Sequence, residues 1–165
     1  MTVLVVVESM WGNTRAVAEA VQRGIGEGEV VGVGEAPSIV ADEVDLLVLG
    51  GPTHAFSMSR AESRSDAVRQ GAAPGHEERG IREWLASMQP SERINVATFD
   101  TRVTTVRRLP GSAAKAAGKQ VRRHHLGRLV GTQSFYVDDT TGPVHEGELS
   151  RAEEWGASLA RTRDI

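Results

Sequence analysis

Val3-Leu-Val-Val-Val7, then Glu8, then Ser9-Met-Trp-Gly-Asn-Thr14 is the stretch that decides the fold. An unbroken apolar run with no polar alternation is the mark of a strand buried on both faces. Beyond it, Val17, Ala20, Val21 and Ile25 fall at the spacing of one helix face. The turn between them therefore joins a buried strand to a helix start. Helix starts present unpaired N–H groups and the positive end of the macrodipole, and so receive anions. Ser9, Asn13 and Thr14 add short side chains that can donate to a phosphate, while Arg15, inside the first turn, is expected to point to solvent. The same residue types serve as ordinary helix caps in any protein, so the phosphate reading depends on what the rest of the chain does.

The alternation continues along the chain. Strands are expected at residues 3–7, 29–33, 45–50, 95–99 and 129–137. Helical faces follow at Ile81, Trp84, Leu85 and Met88, from about Ser112 through Ala113, Ala116, Ala117 and Val121, and from about Ser150 through Ala152, Gly156, Leu159 and Ala160. Strands that alternate with helices imply an α/β class with a parallel, doubly wound sheet, and 165 residues suit a single domain over 1–165. Residues 51–77 are the exception, a connection of 27 residues, well beyond ordinary loop lengths. It is expected to be a long loop, with the outer part of 61–80 mobile because that stretch has hardly an apolar anchor. The glycines at 24–28 and 32–34 read as turns.

Composition narrows the chemistry. With no cysteine there is no disulfide, thiolate metal site or cysteine nucleophile, so redox chemistry would need a bound organic cofactor. A net charge of -3 argues against a strongly basic nucleic-acid binder, although the charge is uneven: residues 1–60 carry eight acids and three bases. Lys115, Lys119, Arg122 and Arg123 make one basic helix end, read as a solvated face. No apolar segment approaches the length of a membrane span and no charged leader precedes the first strand, so a cytoplasmic protein with no membrane partner is expected. Adjacent His124 and His125 point about 100° apart on a helix and do not make a metal site. Neither a G-x-S-x-G elbow nor a G-K-[ST] phosphate loop is present, and no catalytic side chain is singled out.

In an open parallel sheet, ligands bind beyond the carboxyl ends of the strands, where the winding reverses. Three loops should converge there. The first is 8–14. The second, 50–59, reads Gly-Gly-Pro-Thr-His-Ala-Phe-Ser-Met-Ser and combines close-approach backbone with a hydroxyl at Thr53 and apolar Phe56 and Met58. The third begins Phe99-Asp-Thr-Arg-Val-Thr-Thr105. Each has a bland alternative: a glycine–proline turn with Phe56 covering the core, and an Asp100–Arg102 pair. Together they suit a ligand that is part phosphate, part polyol and part heterocycle.

These residues resemble the flavodoxin-like family. Ser9, Gly12, Asn13 and Thr14 match its first loop position by position, and the Gly-Pro-Thr at 51–53, the Phe-Asp-Thr-Arg at 99–102 and the final helix fall where the family places them. The resemblance implies a three-layer α/β/α fold with a five-stranded parallel sheet in the order 2-1-3-4-5, and FMN as cofactor. It implies that Ser9, Met10, Trp11, Gly12, Asn13 and Thr14 hold the FMN phosphate, that Pro52, Thr53, His54, Ala55 and Phe56 flank the ring, and that Asp100, Thr101, Arg102 and Val103 approach its pyrimidine edge. Many members stack a tyrosine from the third loop on the flavin, whereas Tyr136, the only tyrosine, lies in the fifth strand. Stacking would fall to Phe56, Trp11 or Val103, and Asp100 would set a negative charge near the ring and lower its potential. The implied function is an electron carrier between a reductase and partner enzymes, with no metal and a monomer favoured. An FMN-dependent NAD(P)H:quinone-type oxidoreductase and a binding module that has lost flavin are the alternatives.

Overall fold

A computed structural model describes residues 1–40 and 42–162. Strand β1 (Thr2–Val7) is followed by α1 (Asn13–Ile25), β2 (Glu29–Gly32), β3 (Val44–His54), a two-residue β4 (Ser57–Met58), α2 (Ala61–Arg69) and α3 (Ile81–Ser87). Then come β5 (Asn95–Val103), a 3-10 turn at Thr104–Val106, α4 (Ala113–Arg123), β6 (Arg128–Val137) and α5 (Glu148–Arg161). Five parallel strands lie in the order β2-β1-β3-β5-β6, which is the expected winding, and β4 pairs antiparallel with the end of β3.

The apolar runs are buried on both faces, and the strand period divides them. Val3, Val5 and Val7 of β1, with Leu46, Val48, Ala97 and Phe99, meet Val17, Val21 and Leu159 of α1 and α5. Val6, with Leu47, Leu49 and Val96, meets Trp84 and Leu85 of α3 and Val121 of α4. Gly50 lets the Phe99 ring lie across it, since a Cβ there would come within 1.9 Å of the ring. Gly24, expected in a turn, lies inside α1, where a Cβ would be 1.9 Å from the Glu153 carbonyl oxygen of α5. It allows the two helices to cross closely.

Two further expectations are corrected. β3 and β5 run four residues further than their apolar cores, to His54 and Val103, so Pro52, Thr53, Asp100, Thr101 and Arg102 belong to strands rather than loops. Parallel pairing of Gly51 with Asp100 and Pro52 with Thr101 carries the ladder past the point where apolar side chains end. Residues 51–77 are likewise not one loop. They contain the end of β3, a β3–β4 hairpin and helix α2. What holds α2 is not an apolar stripe but a fully buried arginine, Arg64, together with small contacts of Ala67 and Ala72 on Met10.

Candidate functional site

The carboxyl ends of β1, β3 and β5 bring the three expected segments to one rim of the sheet. Gly12 closes the turn after β1 with φ 90°, a left-handed conformation that glycine adopts at little cost, and α1 starts at the next residue. Space around Gly12 is open: a Cβ there would meet nothing within 4 Å. Ser9 Oγ accepts from the N–H of Gly12 at 3.1 Å and of Arg15 at 3.3 Å. Both its lone pairs are then used, which leaves its hydrogen to donate outward. Among the described residues no acceptor serves the N–H groups of Asn13 and Thr14. Arg15 is exposed and pairs with Glu19 at 3.3 Å, so the turn offers backbone and hydroxyl donors without a cation.

Thr14 is buried, and its hydroxyl lies 2.8 Å from that of Thr101, which ties the first segment to the third. Asn13 packs on Gly142 of the β6–α5 connection, where a Cβ would be 2.6 Å from the Asn13 side-chain oxygen. Met10 and Trp11 turn the other way. Met10 is buried against Ala67 and Ala72 with Trp11 packed beside it, and Trp11 lines a cleft of about 500 Å³ whose walls are Ser9 and Gly12 of the same turn and Glu35, Gly71 and Ala73 opposite. The structure therefore does not bring Trp11 to Phe56 and Val103.

In the second segment, Ala55 (φ 47°) and Phe56 (φ 64°) form a two-residue hairpin turn between the pairs His54–Ser57 and Thr53–Met58. Two consecutive non-glycine residues in the left-handed region are strained by about 1 kcal/mol or more each, and such strain collects at ligand-holding turns. Phe56 is 48% exposed, and its backbone lies on Gly111, where a Cβ would be 2.7 Å from the Phe56 oxygen. His54 Nδ1 is 2.9 Å from Ser63 Oγ. Burial, and then the positive Arg64, hold the His54 pKa below its usual value, so it is neutral at neutral pH. Pro52 lies half-buried beside it.

Two of the polar side chains expected to face the ligand, Thr53 of β3 and Asp100 of β5, instead seal the start of α4 together with Ser112. Thr53 Oγ1 accepts from Ala113 N at 3.0 Å, Asp100 Oδ2 from Ala114 N at 2.9 Å and Ser112 Oγ from Lys115 N at 3.2 Å. Asp100 is fully buried, and desolvation pushes its carboxyl above the usual range against the hydrogen bond from Ala114. It is not the exposed negative charge beside a ring that the sequence suggested. Strand alternation explains this, because Asp100 shares the α4 face with Val96 and Thr98, while Thr101 shares the α1 face with Phe99. Arg102 is buried too, and donates to the carbonyls of Val106 at 3.0 Å and Leu109 at 2.9 Å, which pins the turn after β5. Val103 ends that strand half-buried.

A second buried group, outside the expected site residues, supports the rim. Glu8, 2% exposed, accepts from Ser59 Oγ at 2.5 Å and from Ile81 N, the start of α3, at 2.9 Å. Arg64 lies 3.9 Å from Glu8 and 2.5 Å from Glu83, and its Nε donates to the Glu77 carbonyl at 2.9 Å. Burial pushes Glu8 above the usual carboxylate range, the bonds from Ser59 and Ile81 and the charge of Arg64 acting against it. A charged residue directly after an apolar strand was the signal for Glu8. Arg64 gave none, since its neighbours are polar on both sides. Among the described residues no group of three His, Asp or Glu side chains is placed to hold a metal, and no helix is long and apolar enough to cross a membrane.

No family model matches the chain, and no curated protein matches it by sequence. Solved structures do. It is similar to a flavodoxin from the domain Archaea at 18% identity and TM-score 0.65, each chain covered in full. Flavodoxin 2 from Bacillus cereus gives 15% identity and TM-score 0.66 with full coverage of both. The Streptococcus pneumoniae TIGR4 flavodoxin gives 14% and 0.64, covering 98% of this chain and 99% of that one. At these identities the likeness establishes the fold, which is flavodoxin-like.

Proposed function

We propose that this chain binds FMN at the carboxyl rim of its sheet and carries electrons between a reductase and partner enzymes. The observation that carries the reading is the start of α1. It is opened by a left-handed glycine with free space around it, has N–H groups at Asn13 and Thr14 without acceptors among the described residues, and has a Ser9 hydroxyl that accepts two N–H groups and keeps its hydrogen to donate. A phosphate dianion fits that donor set, and the helix start contributes the equivalent of about half a positive charge.

In this reading Ser9, Gly12, Asn13 and Thr14 bind the phosphate, with Thr101 orienting the Thr14 hydroxyl and Met10 and Trp11 anchoring the turn on α2. The main chain of Pro52 to Phe56, and Val103, flank the ring, while Asp100, Thr53 and Arg102 position those segments from behind. FMN, when bound, supplies the one- and two-electron chemistry at its ring. The protein contributes orientation, exclusion of water and hydrogen bonds from the hairpin backbone; no catalytic side chain and no metal are required. The reading includes a cytoplasmic monomer working with a reductase and an electron acceptor.

The test is to purify the protein, remove any bound flavin, add FMN, strip the unbound excess by gel filtration and record the visible spectrum of the protein fraction. Acquisition of bands near ~370 and ~450 nm, characteristic of oxidised flavin, is expected. Failure to acquire them would favour a second reading, a module without flavin. One observation points that way: Thr53, Asp100 and Arg102 spend their side chains inside the protein, and the hairpin turn rests directly on Gly111. Rapid quinone-dependent oxidation of NAD(P)H by the loaded protein would instead identify an NAD(P)H:quinone-type oxidoreductase.

A further inference from the structure

Between Asp100 and Asp138 the chain carries eight bases and no acid. The fold gathers them on one flank. Arg107 and Arg108 stand exposed on the turn after β5, and Lys115, Lys119, Arg122 and Arg123 run exposed along α4. Among the described residues none of these six forms an ion pair. Beside them, α4 and β6 leave an open groove of about 810 Å³ floored by Gly118, Leu129 and Thr132. At the end of the flank nearest the candidate FMN site, Leu109 and Phe56 are each 48% exposed. Arg102 holds the Leu109 carbonyl, so the basic turn and its apolar tip are presented in a fixed geometry.

We infer that the turn after β5 and the exposed face of α4 form the docking surface for a redox partner protein whose own contact face is acidic, with Leu109 and Phe56 as its apolar tip. This rests on the carrier reading above and names the kind of partner it serves. Charge complementarity selects the occupant. Unpaired exposed bases steer an acidic surface over about a Debye length, and an exposed apolar spot bordered by charged residues suits a protein contact. The flank has no exposed aromatic side chain on α4 for bases to stack on, and the whole chain is net acidic at -3, which disfavours nucleic acid. Its exposed apolar surface is confined to the tip, which disfavours insertion into a lipid surface.

Two probe proteins of opposite charge test this: cytochrome b5, whose haem edge is ringed by carboxylates, and cytochrome c, whose haem edge is ringed by lysines. The FMN-loaded protein is reduced with dithionite and mixed with each in stopped flow; the flavin gives up one electron and the haem iron passes from ferric to ferrous. The rate with cytochrome b5 is expected to fall about tenfold from low to physiological salt. An R107E/R108E variant should slow it by a similar factor at low salt and speed the reaction with cytochrome c, with FMN affinity unchanged. A K119E/R122E variant should act in the same direction. In parallel, NMR titration of the protein with cytochrome b5, with or without FMN, should perturb residues 107–123. Absence of FMN binding with that perturbation retained would sink the carrier reading and leave the surface standing. A faster reaction with cytochrome c, shifts elsewhere, no salt dependence, or tighter binding to duplex DNA or anionic vesicles than to cytochrome b5 would each overturn the docking surface.

Discussion

Helices α1 and α4 both begin at the carboxyl rim, and their first turns are treated in opposite ways. At α4 three side chains from three places in the chain, Thr53, Asp100 and Ser112, each take one backbone N–H. At α1 the capping position is a glycine, and among the described side chains only Ser9 reaches the N–H groups, two of them, at 3.1 and 3.3 Å. A helix start inside a protein is ordinarily satisfied by the chain itself, as α4 is. One left open beside free space, at the end of β1 and next to the central strand β3, is the feature on which the proposed phosphate site rests. The contrast separates structure from function among residues that looked alike in the sequence.

The largest effect should come from the support beneath both turns. Replacing Arg64 by Met leaves Glu8 and Glu83 without their buried cation and is expected to cost about 3 kcal/mol or more in chemical denaturation. Asp100→Ala should cost about 2 kcal/mol by leaving the Ala114 N–H unsatisfied in a buried place. FMN affinity should change much less than stability. If it instead collapses while stability holds, Asp100 faces the ligand and the contrast between the two helix starts is wrong.

Smaller changes probe α1. Gly12→Ala has room for its Cβ, so it should cost only the backbone strain of a left-handed residue, about 1 kcal/mol, while FMN affinity falls tenfold or more. Equal FMN affinity in the two proteins would deny the turn its role. Thr14→Val strands the Thr101 hydroxyl and should cost about 1 kcal/mol, read as a shift of the denaturation midpoint.

Titration offers a further check on the buried acids. Glu8 and Asp100 both have folded pKa values above the ordinary 4.5 and 3.8. Between those ordinary values and the raised ones the folded protein holds more protons than the unfolded chain, so their contribution to stability falls as pH rises through that window. Asp100→Asn, which keeps the shape without the charge, is expected to flatten the slope of stability against pH, and Glu8→Gln to flatten it again. A slope unchanged in both variants would mean that neither carboxyl is held in the desolvated state described.

Much of this was legible beforehand. Continuous apolar runs and helical spacing are local signals, and they placed five parallel strands and the turn at Ser9–Thr14, while the strand order followed from the likeness of the loop motifs to the flavodoxin-like family. The same signals stopped β3 at Gly50 and β5 at Phe99, because the ladder continues through Pro52, Thr53, Asp100 and Thr101 on pairing alone. Helix α2 was missed for a related reason: its anchor is Arg64, and a buried arginine leaves no hydropathy trace.

Residue order was sufficient for the layering of the molecule and for a glycine and hydroxyl turn at a helix start, since burial period and turn chemistry are written in neighbours along the chain. Which way Asp100, Thr53 and Trp11 point was settled only when strands, helices and the 61–80 segment packed together. Strand parity turned Asp100 under α4, the close approach of α4 claimed Thr53, and the turn after α2 drew Trp11 aside. Those outcomes depend on partners 14 and 60 residues away in sequence, as with Asp100 to Ala114 and Thr53 to Ala113. Contacts over such separations are fixed by the packing of whole elements, which no local pattern encodes.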